Sequence, residues 1–75
     1  MKKTIGNEQK FQCVNDNWAV TLPSGNYQLY LSADGITYSK YKDDITGDDT
    51  LVVTGCVPEM YFYISGLTGE VEVLL

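Results

Sequence analysis

Apolar residues recur at every second position of this chain, in short runs that Gly, Pro, Asn and Asp interrupt. This period is typical of half-buried β-strands, and no stretch shows the spacing of an amphipathic helix. The runs cover residues 10–14, 17–22, 27–33, 36–42, 50–54, 60–65 and 70–75. The pattern therefore predicts an all-β chain that folds as a small antiparallel β-sandwich or barrel of about six or seven short strands, Ig-like in strand count.

A first hairpin can be given a register from its turn. Asp34 and Gly35 suit the positive φ angles of a type I′ turn, so Ala33 is predicted to pair with Ile36. Because opposite residues in such a pair share a face, this register gathers the apolar side chains on one side. That predicted core face consists of Tyr27, Leu29, Leu31, Ile36 and Tyr38.

A second hairpin is predicted to turn through residues 66–69. It pairs Ser65 with Glu70 at the turn and Met60 with Leu75 at the open end. Tyrosines fall on the outward faces of both hairpins, and the candidate interface residues are Tyr30, Tyr41, Tyr61 and Tyr63.

Two interpretations of the outward tyrosines stay open. Tyrosine offers a large, rigid contact area together with a hydroxyl group, and it is enriched in protein interfaces. Aromatic side chains also stabilise a sheet by packing across neighbouring strands, without any partner protein. The sequence therefore predicts either an interaction surface or ordinary cross-strand packing.

The chain has 75 residues, so its core is small and extra stabilisation is expected from a disulfide, a metal or association. Residues 1–9 are polar and are predicted to form a flexible segment, which could become an arm ordered against an adjacent subunit. A single β domain follows over residues 10–75. Cys13 and Cys56 could be bridged, but without an export signal we expect reduced thiols.

The formal net charge of −5 and the pI near 4.2 disfavour nucleic acid as a partner. The chain contains no His, so neither a Ser nor a Cys has the usual imidazole base, and two Cys alone do not complete a zinc site. We therefore expect a protein that is not an enzyme.

Residues 43–49 are the only metal-like feature of the sequence. Carboxylate oxygens are the ligands that calcium prefers, which makes this segment a calcium candidate. A solvated turn between two strands explains the same residues, because Asp favours turns and solubility. The candidate ligands are Asp43, Asp44, Asp48 and Asp49.

Three segments together resemble small virion proteins of tailed phages. They are residues 27–38 (YQLYLSADGITY), 51–55 (LVVTG) and 60–66 (MYFYISG), and the similarity extends over residues 17–75. The family consists of small β modules of the head, namely decoration, auxiliary and head-fibre proteins. The resemblance implies a place on the virion surface, with a capsid protein or identical copies as the partner.

The placement expected from the sequence agrees with that resemblance. Residues 4–10 contain a single strongly apolar residue, Ile5, so no signal peptide is predicted, and the apolar stretches are too short for a membrane helix. We therefore expect no membrane partner and a protein that is assembled into a virion in the host cytoplasm.

The predicted function is a non-enzymatic structural or assembly module of the phage virion that binds a capsid protein or itself. A small carbohydrate-binding β-sandwich is the alternative, with Trp18 or the outward tyrosines as a stacking platform and calcium at the acidic segment. Trp18 alternates with Val20 and Leu22, however, which predicts a core position for it. A third possibility is an inhibitor that binds a basic host protein through its acidic surface.

Overall fold

The computed structural model describes residues 1–75 and contains eight β-strands and no helix. The strands are β1 (Lys2–Ile5), β2 (Phe11–Gln12), β3 (Asn17–Leu22), β4 (Asn26–Ser32), β5 (Ser39–Thr46), β6 (Asp49–Thr54), β7 (Tyr61–Ser65) and β8 (Val71–Leu74). The predicted all-β sandwich is confirmed, with eight strands in place of six or seven. The added strand, β1, comes from the segment that the sequence analysis leaves unstructured.

The strands form two antiparallel sheets of four. The first sheet has the order β1-β8-β3-β6, and the second has the order β2-β7-β4-β5. The first strand thus pairs with the last, the second with the seventh, the third with the sixth and the fourth with the fifth. The strands thus form four nested antiparallel pairs, and successive pairs alternate between the two sheets. This is the arrangement of a double-sheet jelly roll.

The first predicted hairpin register is wrong. β4 and β5 do pair, but Leu31 lies opposite Ser39, so residues 33–38 form a longer loop instead of a two-residue turn. The Asp34 carboxylate accepts the amides of Ile36 and Thr37, each at 2.9 Å, and the Ser32 hydroxyl accepts the amide of Gly35 at 2.9 Å. These bonds give three backbone amides of the loop a nearby acceptor. Ile36 is 84% exposed instead of lying in the core.

The second predicted hairpin does not form. β7 lies in the second sheet between β2 and β4, whereas β8 lies in the first sheet between β1 and β3. The turn between them crosses from one sheet to the other and is held by Asn7, whose side-chain oxygen accepts the amides of Gly66 and Leu67 at 2.8 and 3.1 Å. Phe62 and Val73 are buried as predicted, so their faces are right although their pairing is wrong.

The N-terminal segment is part of the sandwich, in contrast to the flexible segment predicted for residues 1–9. β1 pairs with β8 along its whole length, from Lys2 opposite Leu74 to Ile5 opposite Val71. The Ile5 side chain is fully buried. The amide of Glu8 then donates to the carbonyl of Ile64 at 2.9 Å, so the chain continues along β7 after it leaves the first sheet.

The core between the sheets is built around three aromatic rings. Trp18 packs edge-on against Phe11 at 5.0 Å and against Phe62 at 5.1 Å between ring centroids. Trp18 is 2% exposed, which confirms its predicted core position. Gly47 lies where the chain passes from β5 to β6, and a Cβ atom there would overlap the carbonyl oxygen of Pro23, so this crossing needs glycine for space.

Candidate interaction surfaces

Three tyrosines form a cluster on the outer face of the second sheet. Tyr30 and Tyr63 lie opposite each other on β4 and β7, and their rings stack with centroids 4.6 Å apart and planes inclined by 11°. Tyr38, at the end of the loop after β4, packs against Tyr63 at 5.1 Å. The Lys10 ammonium group lies 5.5 Å from the Tyr38 centroid. We call Tyr30, Tyr38 and Tyr63 the tyrosine cluster.

The surroundings of Tyr38 and Tyr63 disfavour the charged phenolate form. Burial raises the pKa of Tyr38, and the nearby Tyr61 and Asp34 raise it further. Burial likewise raises the pKa of Tyr63, with a smaller contribution from Tyr30. The Tyr38 hydroxyl is buried and has no hydrogen-bond partner. Rings that stack on one another and lie beneath a lysine fit the cross-strand packing interpretation better than an open platform.

The remaining predicted tyrosines lie apart from this stack. Tyr61 is half-buried beneath the 33–38 loop, and a Cβ atom on Gly35 would come within 2.9 Å of its ring. Tyr41 is 57% exposed on β5, but it lies at the opening between the sheets beside Leu29 and Val53. The predicted register missed Tyr38, because that register assigned this residue to the core.

The acidic segment is divided between β5, the following turn and β6. Asp43 and Asp44 belong to β5, Asp48 lies in the turn and Asp49 begins β6. Asp43 forms an ion pair with Lys40 at 3.5 Å and accepts the amide of Asp44, while Asp49 accepts the amide of the next residue. No group of three or more His, Cys, Asp or Glu side chains is placed to hold a metal ion. Asp44 and Asp49 line one depression beside β5 and β6, but the four candidate calcium ligands do not form a common metal site.

Asp34 is the acidic residue with the most specific contacts. The amides of Thr37 and Ile36 and the hydroxyl of Ser32 donate to its carboxylate, and they lower its pKa from 3.8 to about 2. Thr37 and Ile36 belong to the same loop, and Ser32 ends the strand before it. The carboxylate thus fixes the conformation of residues 33–38 and has a structural explanation.

Both cysteines are free, buried thiols on the inner side of the sandwich. Cys13 donates to the carbonyl of Val57 at 2.9 Å. Burial, together with the neighbouring Cys13, raises the pKa of Cys56 from 9.0 to about 11. A buried thiol with a raised pKa is a poor nucleophile, so this pair does not form a reactive centre.

The sandwich is open along one side. β5 and β6 are outer strands of opposite sheets, and they do not pair with each other. Between them lie two depressions of about 510 and 410 Å³ that contain parts of both strands. We call this opening the β5–β6 groove. Its lining includes Leu29, Tyr41, Lys42, Ile45 and Leu51.

The outer face of the first sheet carries a row of apolar side chains next to that groove. Leu74 lies opposite Ala19, and Ala19 lies opposite Val52, so the three residues cross β8, β3 and β6 in line. Leu74 is 54% exposed and Val52 is 60% exposed. We call Leu74, Ala19 and Val52 the apolar row. Sequence reasoning missed this row, because its members align only when β8 pairs with β3.

Comparison of this chain with protein-family models, with curated proteins and with solved structures gave no match. The structure also contains no helix with the length and apolar character needed to cross a membrane. The class that the geometry defines is therefore a small double-sheet jelly roll.

Proposed function

We propose that this protein is a non-enzymatic assembly module that binds other protein subunits through the outer face of its first sheet. The observation that carries the proposal is the apolar row, because Leu74 and Val52 expose more than half of their surface while lying in line across the sheet. Contiguous apolar surface on a soluble domain marks an interaction site more often than a scattered apolar residue does.

The chemistry of the chain supports binding in preference to catalysis. The sequence has no His, and the two thiols are buried, with the pKa of Cys56 raised. Asp34, whose pKa is lowered, is fully engaged by its own loop. Asp34, Tyr38 and Tyr63 lie near one another, but their perturbed pKa values have structural explanations and none of the depressions in the structure is lined by them.

The setting we propose is the surface of a phage virion, with a capsid protein or identical copies as the partner. The sequence resemblance to small phage head proteins suggests this setting, and the double-sheet jelly roll is an architecture that viral capsid domains use. Lectin domains use the same architecture, so the fold by itself does not separate the two functions. The exposed residues favour subunit assembly over carbohydrate binding.

Carbohydrate binding receives less support from those residues. Trp18 is 2% exposed and lies between Phe11 and Phe62, so its ring is inaccessible to a sugar. Tyr30 and Tyr63 stack on each other, which occupies one face of each ring. Neither stacking platform expected from the sequence presents a free pair of aromatic faces.

The test measures mass in solution by light scattering over a concentration series. We expect the wild-type protein to associate and a V52S/L74S variant to shift toward monomer, because both changes place hydroxyls in the apolar row. The matched control is I36S, since Ile36 is 84% exposed on a loop outside the row. A double variant that associates as strongly as the wild type and the control would contradict the proposal.

A further inference from the structure

The two sheets have four open edges, formed by β1, β6, β2 and β5. An open edge presents unpaired amide and carbonyl groups, and soluble proteins protect such edges with charges, bulges or very short strands. Three of the four edges here have such protection. The edge that lacks it is β6.

The protected edges differ in their means of protection. β1 carries Lys2 and Lys3, and β2 is only the pair Phe11–Gln12. β5 carries Lys40 and Lys42, and its pairing with β4 shifts register twice, between Tyr27 and Leu29 and again between Leu29 and Tyr30. Lysines and bulges oppose the addition of another strand at these edges.

β6 has the opposite character. Its sequence is DTLVVT, with no lysine or proline. Its register with β3 runs without a break from Thr54 opposite Asn17 to Asp49 opposite Leu22. Three exposed β-branched side chains alternate along it, those of Thr50, Val52 and Thr54. A regular edge that is rich in β-branched residues favours pairing with a further strand.

The core is also least covered beside this edge. Leu51 and Ile45 are the most exposed members of the core, at 9% and 8%, whereas Ile5, Ile64 and Val73 are at 0%. Ile45 and Leu51 line the β5–β6 groove, as does Val53 farther along it. An added strand beside β6 would lie next to the groove and remove these side chains from solvent.

We propose that β6 pairs antiparallel with β6 of a second copy of this chain, around a two-fold axis at Val52. This inference rests on the proposed function: it names a second copy as the partner and adds an edge contact that brings the apolar rows of the two copies side by side. Opposite residues in an antiparallel pair share a face, so a two-fold pair must be centred on a residue. With the centre at Val52, Thr50 faces the partner's Thr54, and Leu51 faces the partner's Val53.

This register is the self-complementary one for the strand. It places exposed residues opposite exposed residues and buried residues opposite buried ones. Asp49, the only charged residue of β6, faces the partner's Gly55, so no like charges oppose each other. A centre at Leu51 would instead place the Asp49 carboxylate opposite the core residue Val53. The Val52 register also continues the apolar row from one copy into the next.

The test uses single cysteine variants under mild oxidation, read as interchain dimers on a non-reducing gel. Paired residues of two antiparallel strands have Cα atoms about 4.5–5.5 Å apart, which is within the range that a disulfide spans. We therefore expect V52C to cross-link to itself. T50C alone should not, because two copies of residue 50 lie four positions apart along the strand, about 14 Å.

A mixture of T50C and T54C should cross-link again, because those positions face each other. Wild-type protein under the same oxidant is the control for its own thiols, which are buried. Dimers by light scattering without a V52C cross-link would overturn the β6 pairing and leave the proposed function intact. A wild-type chain that stays monomeric at every concentration would also overturn it. Equal cross-linking of T50C alone would exclude this register.

Discussion

Two tyrosines with different hydroxyl environments allow a test of the packing with opposite expected signs. The Tyr38 hydroxyl is buried without a hydrogen-bond partner, whereas the Tyr27 hydroxyl donates to the carbonyl of Pro23 at 2.8 Å. The substitutions Tyr38→Phe and Tyr27→Phe each delete one oxygen atom. The first removes an unsatisfied polar group, and the second removes a hydrogen bond.

The magnitudes follow from those contacts. A buried polar group without a partner destabilises the folded state by about 1–3 kcal/mol. The packing contacts of one oxygen atom offset only a small part of this free energy. We expect Y38F to raise the free energy of unfolding by about 1 kcal/mol. Y27F should lower it by about 1 kcal/mol, because the lost hydrogen bond leaves the Pro23 carbonyl without its closest donor.

The difference of about 2 kcal/mol corresponds to roughly 8–16 °C in melting temperature for a domain of this size. The assay is thermal and urea unfolding of both variants and the wild type at one protein concentration. Fluorescence of Trp18 reports unfolding, because this residue is 2% exposed in the folded state. If Y38F were as unstable as Y27F, the assignment of a buried, unpartnered hydroxyl at Tyr38 would be wrong.

Three further predictions follow from single side chains. Gly47→Ala should destabilise the fold by about 2 kcal/mol or more, because a Cβ atom there overlaps a backbone carbonyl, while Gly69→Ala, with open space around it, should change stability by less than about 0.5 kcal/mol in urea unfolding. Ile5→Ala should lower the free energy of unfolding by about 2–4 kcal/mol and Lys3→Ala should leave it nearly unchanged, because Ile5 is buried in the core. Equal stabilities of the two variants would indicate that residues 1–9 are flexible after all. The pKa of Asp34 is lowered to about 2, so its contribution to stability is full above pH 4 and is lost as the pH falls toward 2; the melting temperature should drop more steeply over that range in the wild type than in D34N.

The positions and faces of most strands, with β1 and β5 as the exceptions, could be predicted because they depend on neighbours in the sequence. Residues 17–22 form β3 as predicted, and Trp18, Val20 and Leu22 all point into the core. Asp34 shows where local reasoning stops. The Asp-Gly pair suited a two-residue turn, but later amides donate hydrogen bonds to the Asp34 carboxylate and favour a longer loop. Only the three-dimensional arrangement shows which of the two conformations satisfies more polar groups.

Strand partners could not be predicted, because both sheets have apolar inner faces. The alternation of Phe62, Ile64 and Val73 is the same whether β7 and β8 form a hairpin or lie in opposite sheets. Adjacent strands in sequence are the usual choice for pairing, and the rolled topology overrides that choice here. For β7 and β8 the prediction gave the wrong neighbouring strands but placed Phe62, Ile64 and Val73 on the correct face.

The same limit applies to the candidate interface. The sequence DTLVVT is ordinary for a strand with neighbours on both sides, and it is conspicuous only because the topology places β6 at an edge. The other three edge strands carry lysines or a bulge, or are very short, so each of these edges is protected against pairing with a further strand. An exception in such a chain is best explained by a partner strand that covers β6. Association at this edge would also supply stability that a core of this size lacks.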